Sequence, residues 1–73
     1  MDHDRLQRER LQRTVYFRKK DGRGTATWGR GYTSDSDAIN ARDECYLMTP
    51  SATMVWVVKE GCSGALGCVL TRD

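Results

Sequence analysis

The sequence predicts an α+β domain: a small antiparallel sheet of three to four strands, in the order β-β-α-β-β, packed on one helix and preceded by a flexible basic arm. Three observations predict it. Residues 14–20 (TVYFRKK) are rich in β-branched and aromatic side chains and run into Asp21-Gly22, the dipeptide of a tight hairpin turn. Between Ser34 and Pro50, Ala38, Ala41, Cys45 and Met48 recur at helical spacing, marking one apolar helix face. Residues 53–58 (TMVWVV) are then apolar on both faces, as in an interior strand covered on one side and partly screened on the other, with either face able to contact a partner.

Residues 1–13 (MDHDRLQRERLQR) form the arm. Their acids precede their cations as a helix dipole prefers, but Leu6 and Leu11 lie about 140° apart on a helical wheel and make no stripe. So short a helix with nothing to dock frays in water, so the arm is read as mobile until a partner orders it. The single domain spans residues 14–73. In the first strand Val15 and Phe17 share one face, Tyr16 and Arg18 the other. Asp21-Gly22 is expected to supply positive φ angles for the turn. The chain returns over residues 23–28, with Ala26 and Trp28 on one face, while Gly29 and Gly31 signal a bulge beyond it.

Ser34, with Asp37 three residues on, caps a helix expected over residues 35–48. Its sheet-facing residues are Ala38, Ala41, Cys45 and Met48, with Ile39 at the border. Pro50 disfavours helical geometry at Thr49 and ends it. A Gly-rich loop around residues 60–64 follows the interior strand, and residues 66–71 can return as a short last strand.

A chain of 73 residues buries only about 60% of its unfolded surface, leaving little room for an enclosed cavity. One His and no defined nucleophile–base set argue against an enzyme; Asp35 and Asp37, placed before a helix, read as capping and dipole partners rather than a catalytic pair. Three cysteines cannot all pair, and reduced thiols with no apolar leader or membrane span point to a cytoplasmic protein. Cys62 and Cys68 are spaced more widely than most zinc knuckles, and His3 lies in the arm, so no metal or other cofactor is expected. Cys45 reads as a small apolar group on the helix face.

Charge is segregated. Residues 5–30 hold nine of the twelve Lys and Arg residues against only Glu9 and Asp21, so a net charge of +2 conceals a basic half. Such a surface steers toward nucleic acid or an acidic protein patch. The candidate contact residues are Arg5, Arg8, Arg10 and Arg13 on the arm, and Tyr16, Arg18, Lys19, Lys20, Arg23 and Arg30 at the hairpin. Gly22-Arg23-Gly24 and Gly29-Arg30-Gly31 leave a guanidinium uncrowded, although turn and bulge glycines beside solvated arginines explain the same triplets. Lysines on an edge strand also deter sheet aggregation. Tyr16 shares its face with Arg18 and suits stacking, whereas Trp28 and Trp56 read as core anchors.

Over its whole length, from the arm through TVYFRKKDGRGTATWGR to MVWVVKEGCSGALGCVLTRD, the chain resembles the small transcription regulators of lytic Xanthomonas bacteriophages. That resemblance implies a protein that binds host bacterial RNA polymerase, inhibits initiation by interfering with the σ factor, and promotes antitermination near the RNA exit channel, with nascent RNA as a further partner. A monomer is expected, because one domain this small more simply uses the strand around Trp56 as its core than as a dimer contact. An extended polymerase segment adding a strand to the backbone of residues 15–20 is a second contact mode. The alternative reading is a sheet-type DNA-binding module, as in phage integrase arm-binding domains, which the ββα order and the KKDGRG turn permit.

Overall fold

A computed structural model of the chain describes residues 13–22 and 24–72. The strands β1 (Arg13–Lys19), β2 (Ala26–Tyr32), β3 (Ala52–Lys59) and β4 (Leu70–Thr71) form one antiparallel sheet in the order β2-β1-β3-β4, and α1 (Asp35–Met48) is its helix. The α+β class and the β-β-α-β-β order are those the sequence predicts. Because β2 and β3 both run antiparallel to β1, α1 carries the chain across β1 to its far side.

The helix follows its local signals closely. Ser34 is extended at φ −137°, ψ 155°, and its hydroxyl accepts a hydrogen bond from the Asp37 backbone N–H at 3.1 Å, satisfying one of the orphan donors of the first turn. At the other end the Thr49 N–H donates to the Cys45 carbonyl at 3.0 Å, and Pro50 stops propagation. Ala38, Ala41 and Cys45 are buried against the sheet. Met48 departs from expectation at 70% exposure: it is the last residue of the helix, and the buried fourth residue is Arg42.

Val15, Val55 and Val57 are fully buried beneath that helix, with Ala52, Phe17, Trp28, Leu66 and Leu70 around them. The register explains the layer. Val15 pairs with Val57 and Phe17 with Val55, so both interior strands point the same alternate residues at α1. Trp28 joins this layer, its ring 6.4 Å from Phe17 in an edge-to-face contact.

Two bulges in β2 arise where the glycines lie. The register steps from Tyr16↔Thr27 to Val15↔Gly29, and again from Thr14↔Arg30 to Arg13↔Tyr32, leaving Trp28 and Gly31 unpaired. Gly31 adopts φ +80°, a conformation that costs other residues about 1–2 kcal/mol. At Gly29 a side chain would run into the Tyr32 hydroxyl and stand 3.0 Å from its Cζ, so glycine is what lets the Tyr32 ring lie over the strand.

Several expectations are corrected. The first strand is not an edge: β1 pairs with β2 on one side and with β3 over residues 13–19 on the other. β3, apolar on both faces, takes β1 and β4 as neighbours and thereby fills the backbone edge of residues 15–20. Strand addition there is excluded, and Arg18, Lys19 and Lys20 are not edge guards; the long open edge is the bulged β2. The turn also differs. Neither Asp21 nor Gly22 has positive φ; the Gly22 N–H donates to the Lys19 carbonyl, while the Lys20 N–H donates to Ser51. Lys20 thus stays attached toward β3, and a wider loop delays β2 until Ala26. The last strand shrinks to Leu70–Thr71, because positive φ at Gly64 and Gly67 leaves only an isolated Ala65–Val58 bridge upstream.

Candidate contact surface

The sheet has two unlike faces. One carries α1. The register assigns to the other Thr14, Tyr16 and Arg18 of β1, Met54, Trp56 and Val58 of β3, and Thr27 and Arg30 of β2. No described helix or strand packs on this second face. Tyr16 and Trp56 are directly opposed across the two interior strands, with ring centroids 6.0 Å apart and planes tilted by 32°. The Arg18 guanidinium lies 6.0 Å from the centroid of the Trp56 ring, within reach of a cation–π attraction. No Asp or Glu occupies a register position on this face.

The described cations divide by role. Arg13, 8% exposed, donates through Nε to Asp35 Oδ1 at 2.6 Å, and Lys59 Nζ approaches the same oxygen at 3.9 Å. Arg42, 9% exposed, pairs with Asp43 at 2.9 Å and donates to the Cys68 carbonyl at 2.8 Å, fastening the last loop to the helix. Arg72 stacks 3.7 Å from the Tyr46 ring centroid and donates to the Tyr46 carbonyl. These four are parts of the fold. Arg18, Lys19, Lys20 and Arg30 are exposed, and none forms an ion pair among the described residues.

Of the residues predicted to make contact, the structure brings Tyr16, Arg18 and Arg30 onto one face, with Lys19 and Lys20 at the adjoining end of β1. Arg13 is corrected: it opens β1 rather than closing the arm, and its guanidinium is consumed by Asp35. Arg5, Arg8, Arg10 and Arg23, and the arm reading itself, lie outside the described residues. Trp56 is also corrected, since it sits partly exposed on the uncovered face rather than anchoring the core. Alternation along β3 does place it opposite Val55 and Val57. Because the run is apolar on both faces, the sequence left open which face is covered.

The opposite side of the molecule has another character. Between β2 and α1 an open cleft of about 390 Å³ is lined by Trp28, Tyr32, Asp37, Asn40, Ala41 and Glu44. Burial pushes the Tyr32 hydroxyl pKa up, and the Glu44 charge adds to it. With two carboxylates and no cation in its lining, this side repels polyanions. The charge asymmetry of the sequence is therefore also spatial, with available cations toward the uncovered face and hairpin end, and carboxylates along the exposed helix.

Comparison with protein-family models, curated proteins and solved structures finds no match. The functional reading rests on this chain's own residues.

Proposed function

We propose that the protein is a phage-type transcription regulator that binds host bacterial RNA polymerase, interferes with the σ factor at initiation, and promotes antitermination near the RNA exit channel. The observation that carries the proposal is the division of cations: four are bound into the fold, whereas Arg18, Lys19, Lys20 and Arg30 stand exposed and unpaired by acids among the described residues. A domain of this size acts by contact, and such a surface complements an acidic polymerase patch or the phosphates of an emerging transcript. Occupying a surface where σ must dock competes with initiation. Holding the transcript against the enzyme as it leaves hinders growth of a terminator hairpin.

The alternative, a sheet-type DNA-binding module, draws on one specific feature: an antiparallel sheet backed by a helix on one face only. It predicts that the isolated protein binds duplex DNA with a steep salt dependence. A pull-down from host lysate, run beside a gel shift with random duplex DNA, separates the readings. Capture of polymerase subunits with little duplex binding supports the regulator. Duplex binding without polymerase capture overturns it in favour of the module.

A further inference from the structure

We propose that the uncovered sheet face binds single-stranded nucleic acid, with an unpaired base stacked on the Tyr16–Trp56 pair and the neighbouring phosphates met by Arg18 and Arg30. This deepens the proposed function by assigning the nascent transcript a place on the protein.

Rigidity is the first argument. Tyr16 and Trp56 sit on β1 and β3, the two interior strands, so neighbours on both sides hold each backbone. Their rings meet across the register and form a platform before any ligand arrives. Aromatic side chains on a sheet are a general means of holding splayed bases, two or three at a time. Every base has a π-face, so such a platform tolerates sequence, as antitermination on varied transcripts requires.

Spacing and charge give the second argument. Arg18 stands at one end of the platform, and Arg30 lies opposite Thr14 at the other. Arg18 lies four residue steps along the strand from Thr14, about 13 Å. That length suits the backbone of a few nucleotides, with one guanidinium at each end. The face has no carboxylate at a register position, whereas the cleft behind it presents Asp37 and Glu44. A polyanion has one favourable side.

Other occupants fit less well. A second copy docked face to face would bring two pairs of Arg18 and Arg30 together, placing like charges across a self-complementary contact. Duplex nucleic acid keeps its base faces inside the stack and leaves the two rings unused. Cross-strand aromatic pairing also stabilises a sheet on its own, so the test must read binding separately from folding.

The experiment uses the full chain carrying Trp28→Phe, so that Trp56 is the sole indole reporter. It is titrated with an oligouridylate of about eight nucleotides, an oligothymidylate of equal length, and a duplex of the same length. The expected result is Trp56 quenching by both single strands and little by the duplex. Trp56→Leu in the natural background, checked for folding by circular dichroism, weakens single-strand binding roughly 5- to 100-fold, and Trp56→Phe recovers most of it. Arg18→Ala with Arg30→Ala lowers the slope of log affinity against log salt by about two. Because the unaltered chain's fluorescence is itself a readout, the test survives a variant that fails to fold.

Absence of quenching by either single strand overturns the inference, as does undiminished binding by folded Trp56→Leu. So does protection of Trp56 by a polymerase subunit with no oligonucleotide binding, which identifies the occupant as protein. Polymerase capture alongside any of these outcomes leaves the regulator reading standing. Single-strand binding without polymerase capture removes that reading and keeps the stacking site.

Discussion

At the scale of single residues, two arginines five positions apart in one strand do opposite work. Arg13 is buried and held by Asp35; Arg18 is exposed, its guanidinium 6.0 Å from the centroid of the Trp56 ring. Sequence alone makes them equivalent members of a basic half, because charge density carries no information about which cation meets an acid 22 residues later. Arg13→Ala is expected to lower Tm by roughly 5–10 °C, whereas Arg18→Ala changes it by no more than roughly 3 °C, read by thermal circular dichroism. The same pair shapes the response to acid. The hydrogen bond from Arg13 holds the Asp35 carboxyl below its ordinary value of 3.8. A carboxyl depressed in the folded state stabilises fully above the unfolded value and loses that contribution as pH falls through the folded one. Urea midpoints measured from roughly pH 5 down to pH 2 should therefore fall less steeply for Asp35→Asn than for the unaltered chain.

At the scale of elements, legibility followed how local the cause was. The helix was readable to its ends because Ser34, Asp37 and Pro50 act within a turn of themselves. The bulges were readable as well, since Gly29 and Gly31 mark them. The position of β1 inside the sheet was not: it depends on β3 choosing it as a partner some forty residues later, a preference that alternation within β1 cannot encode. The loop after β1 misled for a related reason, because the Lys20–Ser51 hydrogen bond overrides the turn preference of Asp21-Gly22. Gly29→Ala tests the β2 geometry. Its new methyl group must displace the Tyr32 ring, with an expected loss of about 1–3 kcal/mol in denaturant unfolding. A loss near zero would mean that Tyr32 moves freely.

At the scale of the whole molecule, a 14-residue helix covers one face of a four-stranded sheet and leaves the other to solvent. Among the described residues, the charge segregation seen in the sequence becomes a directional property, because the exposed Arg18, Lys19, Lys20 and Arg30 collect beside the uncovered face while Arg13, Arg42, Lys59 and Arg72 are bound into the fold. The half of the site that sequence could show was its chemistry: Tyr16, Arg18, Lys19, Lys20 and Arg30. What it could not show was that Trp56 completes the surface from across the sheet. The arginines of residues 5–10 belong to the same proposed contact through charge alone. The most direct test of the account is the capture of host RNA polymerase by the full chain and by a variant with Arg18, Lys19 and Lys20 replaced by Ala. The account predicts that the unaltered chain captures polymerase and that the folded variant binds it at least roughly tenfold more weakly; capture by the variant at full strength would contradict it.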